Sequence, residues 1–597
     1  MLLGGDVLGG APLGSLPGGD SAVVVVGGSP AIVWRARAVV AGVDYSARLT
    51  GQITVDQEEG AASVASFSLL LPAGLVTPNA WRKRAVALDY IDAAGEQRLF
   101  TGRIIEPAWN RTTRIMACAC TDALQNRVED MPIEAIDSLV GGYWSEDVFS
   151  PTEGRSHLDY ANERLSSRTA SLDSSPLGSL RVTSWYAKAQ ADFEFGPGST
   201  VYETIDVQLS ANTRETNQVE IEADYRFPRL RQLNKQYSWN HSLMGGLGGE
   251  SGFCAWLVDN ADTPNVEMVM GAVSDSGQTM LSGPGWGYLP PSGIYCIPPL
   301  GFSNPYTGNL LAVSFAAARR WAQTVTERYA LVVRADAAVA EAGVIVERDS
   351  LAIEVGEDAA STWESTPFGL STTAPTPASN GLRYSVIGRE GGLTPGRPAD
   401  DGFYGHTDLR DEPRRQLGLR TKLNQAVVRI ITAHRGALLS WDTPTSWVRG
   451  IDVVHTALIN DQGVYAKGKV KRLRHRLDLA GGEAMTGVTI ALMRGGGEVS
   501  DPLTPPAFTT EEQPEPPPFN PIDDGLPTQI GGRGEVYDDE LDGFSGTWTS
   551  GDGISEGFPR RFQITADEVA AEQRDELTIT IDGDYRLAIP NDPLELY

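Results

Sequence analysis

The stretch from Arg48 to Asp122 sets the narrowest limits on what this chain can become. Leu49-Thr50-Gly51-Gln52-Ile53-Thr54-Val55-Asp56 alternates apolar with polar residues, and the alternation resumes after Glu58-Glu59-Gly60 through Ala65-Ser66-Phe67-Ser68-Leu69-Leu70. Arg84 to Ile91 runs into the turn Asp92-Ala93-Ala94-Gly95 and returns as Arg98 to Ile104, and a last run from Arg114 to Cys120 closes on Thr121-Asp122. These short strands succeed one another with no helix-length segment between them, which a parallel sheet would require. The expectation is a small β-barrel completed by neighbouring elements.

A second set of strands is assembled from distant segments. Thr200–Leu209 and the strictly alternating Asn217–Phe227 come first; Gln425–Ile431, Trp447–Val454, Gly463–Val470 and Met485–Leu492 follow some two hundred residues later. The reading is a second barrel of residues 200–234 and 421–497, split by an inserted α+β region, 235–420. Within the insert, residues 236–310 are rich in Gly and Pro around Trp239, Trp256, Trp286, Tyr288 and Tyr295, either an aromatic cleft or aromatics pinning long loops. Leu310–Tyr329 reads as a helix with Leu311, Phe315, Ala318, Ala322, Val325 and Tyr329 on one face.

The remaining divisions follow composition. Residues 1–30 begin with Leu and Gly in loose recurrence and read as an extended N-terminal arm; 31–130 is the first barrel; 131–199 is a loop-rich connector with one short helix, His157–Leu165. Residues 498–530 form a Pro-rich acidic linker and 531–597 a small acidic C-terminal β-module. Residues 501–597 carry 22 acidic against 5 basic side chains, so the linker and module hold most of the net charge of −28. The fold class is therefore mainly β, two similar barrels with a smaller α+β insert.

That charge argues against a general nucleic-acid or anionic-membrane binder. An acidic wall suits a conduit for DNA, because like charge keeps phosphates from sticking. Four cysteines in 597 residues make no disulfide framework, no secretory signal precedes them, and no window approaches the apolar length of a membrane span. Stable membrane insertion is not expected, and assembly in a cytoplasm is.

The order of these pieces carries a resemblance. The acidic turn and "ASFSLLLP", then "RLFTGRIIEP", then a strand closing on "CTDAL" resemble the first barrel of phage baseplate hub proteins, a family related to the hub part of type VI secretion spikes. Gly468-Lys469-Val470, His475 with Leu477-Asp478-Leu479 and Gly481-Gly482, and Thr486 through Leu492 resemble the second barrel of that family, and Gln323 to Tyr329 resembles its insert. The resemblance implies a homotrimer whose six barrels form a pseudo-sixfold ring at the tail tip. Its implied partners are distal tail and tube proteins, the tape measure protein and central fibre or tip proteins. The resemblance also implies that genomic DNA passes through without specific binding and that the location is the tail baseplate of the virion.

Catalytic chemistry finds little support. His157, His241, His406, His434, His455 and His475 show no ligand spacing, and there is no phosphate loop, nucleophile elbow or Cys-x-x-Cys. No catalytic or cofactor residue is assigned, and the chain is not expected to be an enzyme. Cys118 and Cys120, with Cys254 and Cys296, form a weak alternative metal set; buried free cysteines are the plainer expectation. The six Lys and Arg between Lys467 and Arg476 are expected to pair with acidic neighbours on one strand. Two other functions stay open, a tail-tip cell-wall hydrolase and a carbohydrate-binding receptor protein.

Overall fold

The computed structural model describes residues 23–27, 33–151, 154–209, 215–240, 265–280, 285–288, 292–293, 302–303, 310–356, 383–386, 405–508, 548–549, 555–556, 564, 566 and 568–597. In chain order the elements that matter are β1 (Val24–Val26), β2 (Arg35–Val40), β3 (Leu49–Glu58), β4 (Val64–Leu70), β5 (Ala85–Asp92), β6 (Gly95–Asn110) and β7 (Ile115–Thr121). Helix α1 (His157–Leu165), the hairpin β8 (Ala170–Ser174) and β9 (Leu180–Ser184), β10 (Phe193–Phe195) and β11 (Asp206–Gln208) follow. Then come β12 (Gln218–Asn240), β13 (Leu310–Arg334), β14 (Val346–Glu354), β15 (Gly405–Arg410) and α2 (Glu412–Ala433). The chain continues with β16 (Ala437–Pro444), β17 (Thr456–Asp461), β18 (Val464–Asp478) and β19 (Glu483–Leu492), and finishes with β20 (Leu577–Arg586) and β21 (Leu594–Leu596).

Two sheets organise the molecule. The larger has, among the described residues, fifteen strands and contains both barrels, in the orders β3-β4-β7-β6-β5-β2 and β11-β16-β19-β18-β17-β10. Alternation puts Ile53, Val55, Phe67, Leu69, Val86, Leu88, Ile104 and Met116 into one core; Leu439, Trp441, Ile459, Val470, Leu473, Val488 and Ile490 form the other. The second sheet is built on the β12–β13 hairpin, antiparallel from Gln218↔Arg334 to Asn240↔Ala312, with β14 and β20 added in parallel on its flanks and α2 packed against it.

The second barrel is discontinuous as expected, but its seams lie elsewhere. Of the early segment, only Asp206–Gln208 forms a strand of it, pairing with β16, while Thr200 and Val201 hydrogen-bond to Asp461 and Asp442. Gln218–Phe227 alternates as the sequence says, yet it pairs with β13 and β14 in the other sheet. Leu310–Tyr329 is strand, not helix: inward positions two apart, Val313, Phe315, Val325, Tyr329, Leu331 and Val333, are buried. The polar Gln323 and Glu327 share that inward face, which broke the apparent period of two. Gln425–Ile431 is the end of α2, not a strand; Asp411 caps the helix by accepting from the Arg414 backbone N–H, and Pro413 stands in its first turn. Trp447–Val454 holds a short 3-10 turn and loop, and the strands beside it are β16 and β17.

The ends are built in as well. β1 pairs in parallel with β10 of the second barrel; residues 1–22 lie outside the described residues. In place of a separate C-terminal module, β20 extends the second sheet from Val325↔Leu577 to Arg334↔Arg586, and β21 joins β18 of the barrel sheet. The connector has a core of its own, with Ile136, Val140, Tyr160, Leu165 and Leu172 buried together and α1 at the expected place. Residues 509–547 lie outside the described residues.

Candidate functional site

The two barrels repeat each other strand for strand. In the first, Arg103↔Thr121 and Ile104↔Cys120 pair before a bulge, after which Glu106 meets Ala119. In the second, Lys469↔Ala491 and Val470↔Ile490 pair before a bulge, after which Arg472 meets Thr489. Going outward from the bulge, Phe67↔Cys118 matches Trp441↔Val488, and Ala65↔Cys120 matches Leu439↔Ile490. One strand further, Val55↔Ala65 matches Val207↔Leu439; on the other side Val86↔Gly102 matches Ala457↔Gly468. Five strands thus share one register, β3-β4-β7-β6-β5 with β11-β16-β19-β18-β17. The flanking strand differs, since β2 runs antiparallel to β5 while β10 runs parallel to β17. The inserted sheet occupies the loop between the repeat's first two strands, which in the first barrel is only residues 59–63 and in the second is 209–436.

Strand β18 joins the repeats. Before its bulge it pairs with β17; after it, Arg472↔Glu58 through Asp478↔Gln52 pair with β3 of the first barrel. At the changeover the Glu59 N–H donates to the Lys471 carbonyl at 2.9 Å. The strand supplies Leu473 to the second core and Leu477 to the first, each burial contributing ~2 kcal/mol. Around it, Trp34 Nε1 donates to the Gly482 carbonyl at 3.0 Å, Arg449 meets Asp92, and Arg472 and Arg476 meet Asp56 and Asp442. The arginines of the basic run thus meet acidic side chains, whereas Lys467 and Lys469 donate to the Ala189 and Val453 backbone carbonyls.

Behind the joint lies a buried charge cluster. Arg435 Nη2 contacts Glu59 Oε2 at 2.6 Å, and Arg181 bridges Asp173 at 2.7 Å and Asp452 at 2.7 Å. The buried Lys469 donates to the Val453 carbonyl, and burial pushes its pKa down to about 8. Burial also raises Glu59 and Asp173 above the usual carboxylate range. His455 accepts the Asp452 backbone N–H on Nδ1 at 2.9 Å and is held low by burial. First barrel, connector, second barrel and the segment after α2 all contribute, so the cluster locks four parts together.

Cys118 and Cys120 point into the first core at positions that the second barrel fills with Val488 and Ile490. Burial pushes the Cys118 thiol up to about 12 and Cys120 higher still, so both pack here as protonated hydrophobic groups. Among the described residues no three His, Cys, Asp or Glu gather as a metal site; Cys254 and Cys296 lie outside them. His434 sits at the α2 C-terminus, His157 begins α1 and His475 is buried beside Thr486. Of Trp239, Trp256, Trp286, Tyr288 and Tyr295, read as either a cleft or loop pins, only the Trp286 side chain is described, half-buried beside the cluster of Tyr237, Val269 and Phe315. No helix among the described residues is long and apolar enough to cross a membrane.

No protein-family model and no curated protein matches this chain. Among the solved structures it resembles are bacterial and prophage tail proteins and a chain of the Francisella PdpA-VgrG complex. A tail protein from Neisseria meningitidis matches at 8% identity over 77% of this chain and 96% of its own, with a TM-score of 0.33. The 43 kDa tail protein of prophage MuSo2 from Shewanella oneidensis matches at 11% identity over 76% and 98%, also at 0.33. A chain of the Francisella PdpA-VgrG complex matches at 8% over 77% and 57%, at 0.25.

Proposed function

We propose that this chain is the structural hub of a phage tail tip, three copies forming a ring of six barrels that continues the tail tube. It acts by assembly and gating rather than by turnover, anchors the central fibre or tip proteins, and passes DNA without binding it specifically during ejection. The observation that carries the reading is the internal repeat. Five strands share one register in both barrels, and one strand already joins the barrels edge to edge. A chain holding two equivalent barrels lets three copies present six equivalent units, which is what matching a trimeric tip to a sixfold tube requires. The motif order from "ASFSLLLP" to "CTDAL" and from Gly468 to Leu492 supports the same family, and the net charge of −28 fits a lumen that repels phosphate.

Electron microscopy of the purified chain tests it. Rings with a central opening and threefold symmetry at the level of whole chains are the expected result; a monomer with no passage at micromolar concentration overturns it.

A further inference from the structure

Taking the ring reading as given, we infer that the contact between copies is a repeat of the joint within each chain, made by the open edge of β6 on one copy and of β11 on the next. The edge that β18 offers to β3 has a counterpart. Beyond its own bulge, β6 pairs with β7 alone: Glu106 to Asn110 meet Ala119 to Ile115, whereas β5 pairs only as far as Arg103. No strand among the described residues covers the other side of Glu106–Asn110. The edge of β3 that receives β18 has a counterpart too, since β11 matches β3 and pairs among the described residues only with β16. Each chain therefore ends in one half of the joint at either side, and a second copy is the occupant that supplies the missing half. Such a head-to-tail contact propagates and, in a ring, closes.

The register transfers residue by residue. Arg474↔Asp56, His475↔Val55 and Arg476↔Thr54 in the joint become Ala108 opposite Gln208, Trp109 opposite Val207 and Asn110 opposite Asp206. Exposure agrees with a surface waiting for cover. Leu209, next to the open edge of β11, is 64% exposed. Ile105 at the β6 bulge is 48% exposed. Pro107 stands where β18 has Leu473 and offers no N–H, so the ladder between copies is confined to the short match with β11 and an indiscriminate pairing partner is disfavoured.

Cysteine pairing tests this. Counting alternately from the bond between Glu59 and Lys471, Ala108 and Gln208 form a close, non-hydrogen-bonded pair with Cα atoms ~4.5 Å apart, within disulfide reach. The full chain carrying A108C and Q208C is oxidised and run without reductant, beside each single variant and the misregistered A108C with D206C. A covalent trimer at least about tenfold more abundant than in the misregistered pair is expected. Light scattering on the unmodified chain separates the two readings. A trimer that does not cross-link overturns the edge assignment and leaves the ring; cross-linked chains longer than three overturn the ring and leave the edges; a monomer without cross-links overturns both. Hydrogen exchange on the unmodified trimer adds a check free of substitutions: protected Val207 and Trp109 amides support the pairing, and exchange at open-strand rates overturns it.

Discussion

Gly102 and Gly468 hold the same place in the two barrels, and neither leaves room for a side chain. A Cβ on Gly102 would lie 2.3 Å from the Thr121 carbonyl oxygen, and one on Gly468 would lie 2.6 Å from the Ala491 carbonyl oxygen. The obstacle in each case is backbone of the next strand, just before the bulge. Gly102→Ala and Gly468→Ala are each expected to destabilise by ~1–3 kcal/mol, the usual cost of overpacking. Urea midpoints of the two variants should fall by similar amounts; a midpoint that does not move would mean the strand can slide aside.

The second sheet carries a network of buried charge. Arg229 Nε meets Asp408 Oδ1 at 2.6 Å, Arg410 meets Asp408 at 3.3 Å and Glu327 at 2.6 Å, and Tyr329 donates to Glu327 while accepting from Arg415 at 2.7 Å. Arg410 also stacks 4.3 Å from the centre of the Phe227 ring. Asp408→Asn removes the carboxylate charge shared by two guanidiniums that have almost no access to water, so a loss of ~3 kcal/mol is expected in denaturant unfolding. Arg472→Ala at the exposed rim of the joint should cost under ~1 kcal/mol. Equal costs would show that burial does not govern these pairs.

How far these features can be read from the sequence depends on which forces are local. Strands β3 to β7 are legible because alternation and tight turns lie within one contiguous stretch. β13 is not, because Gln323 and Glu327 face inward, where Arg231 and Arg410 meet them from other strands. In α2 the β-branched run Val427-Val428 and Ile430-Ile431 mimics a strand, and the signal that corrects it is the Asp411-Glu412-Pro413 cap sixteen residues earlier at its start. The repeat is hidden because matched positions conserve shape and burial rather than identity: Phe67 answers Trp441, and Cys118 answers Val488. Gly102-Arg103-Ile104 and Gly468-Lys469-Val470 are the trace it leaves in sequence.

A tethered module could be removed without effect, whereas β20 and β21 are integral to both sheets, with Tyr585 and Ile589 buried and Asp592 accepting the Met493 N–H at 2.8 Å. A chain ending at residue 576 is expected to lose several degrees of melting temperature and to aggregate through the uncovered edge of β13. Scanning calorimetry and sedimentation check it; an unchanged melting curve would return these residues to the status of a tether.

Acid should loosen the molecule through His475. Its ring is buried on β18, Nδ1 lies 2.8 Å from Thr486 Oγ1, and burial outweighs the nearby Asp452 carboxylate and pushes the pKa down to about 4. Because the folded chain takes up this proton less readily than the unfolded chain, the stability is fully present above about 6.5 and is lost as pH falls towards 4. Roughly 2.5 pH units at 1.36 kcal/mol each give a loss on the order of 3 kcal/mol. The depressed His455 acts in the same sense, while the raised Glu59 and Asp173 oppose it. His475→Gln keeps a polar partner for Thr486 and removes the titration, so comparing the two proteins isolates the residue. The decline in unfolding free energy between pH 6.5 and 4 should be smaller in the variant by about that amount, and parallel curves would assign the acid response elsewhere.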